Sequence, residues 1–284
     1  MTDRLGDVEA RITSVRQLST VIGAMRGIAA VRSHEANARL AGMRAYAATI
    51  GGAIAQALAM VPGGAVPAAA SGRRLVIALC AEQGFVGPYN ATVLEAARGV
   101  LAEGGDLLIV GSRGTGAARE RGLAVAETLA MAAHADQLSA LANRLADRLF
   151  ARLQGGAIGE VLLVGARPAA GGGAARVAPV RLLPFDYARF APASGQRPPL
   201  VQLPAAQLLA RLADEYVFAQ LCEALTLAYA AENEARMRAM IAARENVAHR
   251  LEDLGAEARR LRQEAITGEV IELAAGSLGR AEGA

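Results

Sequence analysis

Apolar residues recur at a seven-residue interval through the first sixty positions. Val8, Val15, Ile22, Ala29, Ala36, Met43, Ile50 and Ala57 fall on one line. A heptad sustained that far predicts a helix that supercoils with a partner. A companion line of Leu5, Ile12, Leu40, Ala47 and Ile54 supports it at both ends. In the middle that line carries Ser19, Arg26 and Ser33, while Leu18 and Met25 sit one position to the side. No proline interrupts Leu5 to Met60, so one helix about 80 Å long is predicted from the helical rise. A second seam lies near the other end. Met237, Met240, Arg244, Val247, Leu251, Leu254, Ala258, Leu261 and Ala265 alternate by three and four residues, with Arg244 the one polar member. From Pro204 to about Ala275 the pattern predicts a helix roughly 100 Å long.

Between the two seams the period changes. Pro62, Gly63, Gly64 and Pro67 end the first helix, and the stretch to Gly72 reads as a linker. Leu75–Cys80, Leu107–Val110 and Val161–Val164 are short apolar runs of the kind buried on both faces of a parallel sheet. Helical patterns separate them: Pro88–Glu103 with proline suited to the first turn, a short helix after Gly111, and an amphipathic Asp136–Leu153. Val177–Leu183 is expected to add an edge strand, and Pro192, Pro198 and Pro199 mark a second linker that ends near Pro204. Such alternation predicts a small α/β sandwich with a largely parallel sheet. Two heptad helices flanking one insert pair most economically with each other, antiparallel; the alternative is that each binds a separate chain. The predicted fold is therefore α/β: a long antiparallel two-helix coiled coil from both termini, with an inserted Rossmann-like domain. Its divisions are 1–61, 73–190 and 205–284.

Composition sharpens this picture. Hydrophobic residues make up 53% of the 284 positions but aromatics only 4%. Much of the apolar content is alanine, which favours helix and close packing over a large conventional core. The net charge is +3, and all 30 basic residues are arginine, scattered along the chain. Nucleic-acid binding, which clusters basic residues with aromatics, is not expected. Cys80 and Cys222 sit in apolar settings and read as small buried hydrophobes of a reducing compartment. The opening Asp3, Arg4 and Asp7 do not resemble a signal peptide. The uncharged run Ala45–Ser71 is alanine-rich and broken by Pro62, so it is not expected to span a membrane.

Candidate chemistry is sparse. Gly111-Ser112-Arg113-Gly114-Thr115-Gly116 follows a strand and opens a helix, where a phosphate could sit. Its glycine spacing is wrong for a dinucleotide fingerprint, and a chain without lysine has no P-loop; a tight turn is the competing reading. Gly84–Asn90 reads as another tight turn, with Asn90 available to bond its backbone. His34, His134 and His249 have no partner at ligand spacing, so no metal site is expected. Neither a catalytic residue nor a cofactor-binding residue is expected.

Both ends carry a specific pattern. Arg11-Ile12-Thr13-Ser14-Val15 followed by Ala24-Met25 and Ala29-Ala30 resembles the first helix of ATP synthase gamma subunits. Glu232-Asn233-Glu234-Ala235-Arg236-Met237-Arg238-Ala239-Met240 with Asn246, and Arg262-Gln263-Glu264-Ala265-Ile266-Thr267-Gly268-Glu269, are similar to that family's last helix. Gln83-Gly84-Phe85-Val86-Gly87-Pro88-Tyr89-Asn90 and Gly111-Ser112-Arg113-Gly114 resemble its insert more weakly. The resemblance implies the central rotor of an F-type ATP synthase, a non-catalytic part that couples ion flow through the membrane c-ring to nucleotide chemistry on beta subunits. Its implied partners are alpha, beta and epsilon subunits and the c-ring. Its implied place is peripheral, on the cytoplasmic face of a bacterial inner membrane. By the same resemblance Met25, Arg236, Arg262, Gln263, Thr267 and Glu269 are the expected rotor–stator contacts, with Arg236 and Arg262 facing beta-subunit carboxylates. Alternatively, Met25 and Arg236 only stabilise the coiled coil. A nucleotide-binding α/β enzyme and a coiled-coil scaffold are the competing functions. Departures from the family pattern are Thr20 to Gly23 where lysine and threonine are usual, Gly27, Pro88 in place of glycine, and Gly268.

Overall fold

The computed structural model describes residues 2–61, 72–169, 173, 175–190 and 199–281. Both segments expected as linkers fall largely outside the described residues. The elements are α1 (Thr2–Ala59), β1 (Arg73–Leu79), α2 (Tyr89–Leu101), β2 (Asp106–Val110), α3 (Ser112–Glu120), β3 (Glu127–Leu129), α4 (Leu138–Gln154), β4 (Ile158–Arg167), β5 (Arg176–Leu183) and α5 (Ala205–Ala281). The two terminal helices have 58 and 77 residues. The chain divides into two compact units, one of Met1–Ile28 with Arg238–Ala284 and the other of Ala29–Met237.

The larger unit is built on a five-stranded sheet in the order β3-β2-β1-β4-β5. β1, β2, β3 and β4 pair in parallel, and β5 closes one edge antiparallel to β4. Alternate side chains of a strand point to opposite faces, and β1 shows the consequence. Leu75, Ile77 and Leu79 enter the core that includes Leu138, Leu141, Leu145 and Leu149 of α4 and Leu221 and Leu225 of α5. Val76, Ala78 and Cys80 enter the opposite core with Val93, Leu94 and Ala97 of α2 and Ala231 and Ala235 of α5. A strand covered on both sides has no polar face, hence its unbroken apolar run. Pro88 caps α2 from just outside, its carbonyl accepting the Thr92 N–H at 2.9 Å, rather than occupying the first turn. β3 was not expected: it has three residues and no apolar run.

Within this unit the late part of α1 lies antiparallel to the early part of α5. Arg44 pairs with Glu223 at 2.9 Å, Tyr46 donates to Glu215, and Ile54 and Ala57 pack with Leu209. Beside them Phe185 stacks on Phe190 and Tyr216 meets both rings edge-on, with centroids 5.1–5.9 Å apart. The smaller unit repeats the antiparallel sense: Val8 packs with Leu254, Ala258 and Leu261, and Glu9 pairs with Arg262 at 2.8 Å. The two helices thus partner each other rather than separate chains. Every member of the first heptad line is buried or half-buried. On the companion line Arg26 is exposed and the neighbouring Met25 turns partly inward. On α5, Arg244 is exposed and Ala243 takes its place. No described helix is long and apolar enough to cross a membrane.

The tyrosines give the fold an alkaline limit. The hydrogen bond to Glu215 pushes the Tyr46 phenol up to about 12, and burial raises Tyr89, Tyr187 and Tyr229. An acid whose folded pKa is raised loses its proton more readily when unfolded, so it binds more protons in the native state. Its contribution to stability is complete below pH 10 and is lost as pH climbs toward 12. Tyrosinate absorbance is therefore expected to rise together with loss of helical circular dichroism above pH 10; a smooth titration with the helix intact would contradict it.

Candidate functional site

In a parallel α/β sheet, ligands bind beyond the carboxyl ends of the strands. Here the chain fills that position with its own carboxylate. Glu82, just past β1, accepts from the Ser112 N–H at 3.1 Å, the Ser112 hydroxyl at 2.7 Å and the Met131 N–H at 2.8 Å. It thus occupies the N-terminus of α3, where helix dipole and free amides would otherwise attract a phosphate. Gly111 and Gly114 serve close approach. A Cβ on Gly111 would stand 2.2 Å from the Cys80 carbonyl oxygen, and one on Gly114 2.3 Å from Cys80 Cβ. The Gly111–Gly116 segment is therefore the tight turn rather than the phosphate seat. Asn90 closes the neighbouring turn, its Oδ1 accepting the Ala81 N–H at 2.8 Å. Burial pushes the Cys80 thiol up to about 12 and the Cys222 thiol up to about 11, which holds both as inert hydrophobes.

A cleft of about 680 Å³ at the opposite strand ends is lined by Arg74, Glu103, Glu160, Arg181 and Asp186 among others. Four of its charges already pair with one another: Arg74 meets Glu160 at 2.6 Å and Glu103 at 2.5 Å, and Arg181 meets Glu160 at 3.5 Å. Among the described residues no cluster of His, Cys, Asp and Glu could hold a metal ion.

The expected contact residues do not form one site. Arg236 is 4% exposed and fully engaged inside the chain. Its guanidinium donates to the Glu232 carboxylate at 2.6 Å, to Asn233 Oδ1 at 3.0 Å, and to the Gln83 and Gly84 carbonyls at 3.2 Å each. A group so placed is not presented to a carboxylate on another subunit; that expectation is corrected, because the turn after β1 has taken the arginine. Glu232 is buried with it. Burial raises its carboxyl pKa, while Arg236 and the backbone N–H groups of Gln83 and Glu82 pull it back down. Sequence spacing carried half of this signal, since Glu232 and Arg236 stand four apart on one helix face. The carbonyls that complete the set come from the distant turn after β1.

The remaining five residues belong to the smaller unit. Arg262, Gln263, Thr267 and Glu269 are exposed within two turns of α5, with Arg262 paired to Glu9 and the Thr267 hydroxyl donating to the Gln263 carbonyl at 2.8 Å. Met25 is half-buried on α1. On the same helix, Leu18, Val21 and Ile28 are 50%, 53% and 54% exposed and form an apolar face; of these the sequence pattern marks only Leu18, one position to the side of the seam.

The architecture has known counterparts. A family model described as ATP synthase matches residues 4–278. The chain is 30% identical to the ATP synthase gamma chain of Frankia casuarinae, over 100% of both chains. It belongs to the ATP synthase gamma-chain family. The Moorella thermoacetica gamma chain is 29% identical over 95% of this chain and 97% of its own length. Among solved structures, a chain of the Euglena gracilis mitochondrial ATP synthase OSCP/F1/c-ring assembly superposes with TM-score 0.69 at 12% identity, covering 100% of this chain and 96% of that one. A chain of the Euglena rotor gives 0.65 at 13% identity, over 94% and 100%. As a gamma chain it is a central-stalk subunit of a rotary ATP synthase, in the peripheral portion of that complex.

Proposed function

We propose that this chain is the turning shaft of its ATP synthase and does not itself catalyse. The match to gamma chains along essentially its whole length carries the reading. In it, segments 1–61 and 205–284 act as the shaft and 73–190 as the collar that meets the epsilon subunit and the c-ring. The complex would lie on the cytoplasmic face of a bacterial inner membrane, and the chain would reach that membrane only through the c-ring. The stator contacts are Met25, Arg262, Gln263, Thr267 and Glu269, supported by their exposure or, for Met25, by the apolar face beside it. Arg262 is shared between Glu9 of its own chain and a beta-subunit carboxylate, since an exposed ion pair is weak and exchangeable. The carboxylate of Glu82 at the α3 N-terminus disfavours the competing nucleotide-binding enzyme.

Co-expression with alpha, beta and epsilon subunits is expected to yield a complex containing this chain, while the chain alone hydrolyses no ATP. Replacing Arg262 and Gln263 together by alanine should lower ATP-driven rotation of the complex by about tenfold, the scale of one or two lost charged hydrogen bonds. A purified chain that ignores alpha and beta subunits sinks the shaft reading. Unchanged rotation in the double variant sinks the contact assignment alone.

A further inference from the structure

We infer that the buried Glu232–Arg236 pair positions the turn after β1, fixing the insert to the first part of α5 (residues 205–237) so that these move together during coupling; this rests on the central-stalk reading. The pair grips a single turn. Its guanidinium donates to the carbonyls of Gln83 and Gly84 at 3.2 Å each and to the Glu232 carboxylate at 2.6 Å, while the backbone N–H groups of Gln83 and Glu82 favour the charged form of that carboxylate. The two residues are 3% and 4% exposed. Cohesion alone would not select them, because apolar residues of similar size fill such a site without the desolvation cost of two charges. Direction is what they add. Elsewhere on this sheet face α5 contributes Ala231 and Ala235, small smooth side chains, and the Ala228 carbonyl, which accepts the Tyr89 hydroxyl at 3.1 Å as one further directional tie. Directional hydrogen bonds to two successive carbonyls resist shear in a way that smooth apolar packing does not.

The next residue records the same constraint. Phe85 has φ 60 and is 67% exposed. An aromatic residue holds that left-handed backbone only where its neighbours over-determine it. The grip on Gln83 and Gly84 is that over-determination, so Arg236 and Glu232 also decide where Phe85 points.

The test uses the complete complex in sealed vesicles, with ATP-driven ion uptake divided by ATP hydrolysis. Weakened folding reduces the amount of complex but leaves this ratio per complex untouched, whereas a slipping joint lowers it. Arg236→Met is expected to cut the ratio about fivefold or more, the scale of a lost coupling interaction. Arg236→Lys keeps the charge without the fork and should recover part of it. Glu232→Gln keeps shape and loses charge, and carries the same expectation should Arg236→Met fail to assemble. Faster amide exchange at residues 82–87 in the assembled variants would accompany the loss. A ratio equal to that of the unaltered chain in both Arg236→Met and Glu232→Gln overturns the inference. Failure of the unaltered chain to join alpha and beta subunits overturns it together with the reading beneath it.

Discussion

Alanine at Gly114 is expected to unfold the insert under conditions where the unaltered chain is stable. The new Cβ would stand 2.3 Å from Cys80 Cβ and 2.6 Å from its Sγ, and Cys80 is 0% exposed at the end of the central strand. Strand and helix must separate to admit it. Overpacking a rigid core costs about 3 kcal/mol at the upper end of its usual range, a large share of the stability of an ordinary domain. Gly111→Ala should be as severe, since its Cβ meets the Cys80 carbonyl oxygen at 2.2 Å and its φ is 111. The third glycine of the segment is the control. Nothing lies within 4 Å of a Cβ on Gly116, and in a helix interior Gly→Ala should stabilise by about 0.5–1 kcal/mol. Denaturant midpoints of the three variants are the measurement. A Gly114→Ala midpoint equal to that of the unaltered chain would refute the close-packing account of this turn.

That contrast also marks where sequence reading stops. The spacing Gly111, Gly114, Gly116 looks the same whether it cradles a phosphate or lets a helix approach a strand. Only the position of Glu82, thirty residues earlier, decides between them, and no local pattern announces a carboxylate that will cap a helix from the neighbouring loop. The terminal helices were legible for the opposite reason. Their periodicity is local, repeats many times, and survives substitutions such as Arg26 and Arg244. At those two positions the helices keep their course and let the adjacent Met25 and Ala243 face inward. The three strands Leu75–Cys80, Leu107–Val110 and Val161–Val164 could be read because burial on both faces removes every polar residue from them. β3 escaped because a three-residue edge strand needs only one buried side chain, Leu129.

The candidate site was legible only as far as the resemblance reached. Arg262, Gln263, Thr267 and Glu269 lie on one exposed stretch, consistent with contacts made outward. Arg236 belongs to the earlier stretch of the same resemblance but faces inward, since a side chain's direction depends on what packs against its helix at that level. The motif fixes residue types. The tertiary structure fixes which of them are left for a partner.

Leu254→Ala is the second large effect expected, and it separates what holds the smaller unit together from what that unit offers to others. Its core among the described residues consists of Val8, Leu254, Ala258 and Leu261, with Leu5, Ile12 and Val15 packed around it. Leu254 is 1% exposed, and its neighbours on α5 include an alanine too small to fill a hole. Truncating a buried leucine costs about 2–5 kcal/mol, toward the upper end where the site cannot collapse. Amide exchange over 4–28 and 238–271 should therefore accelerate on the order of a hundredfold, the kinetic equivalent of about 3 kcal/mol. Serine at Leu18, Val21 or Ile28 should behave differently. Those side chains are at least half exposed, so each variant should keep the exchange pattern within about 0.5 kcal/mol and show its loss only in binding to the alpha and beta subunits. A burial energy is lost wherever the apolar surface is covered, in the isolated chain for Leu254 and in the complex for the α1 face. If Leu18→Ser loosened the isolated chain as much as Leu254→Ala, that face would be covered by the chain itself and would have nothing left to offer a stator.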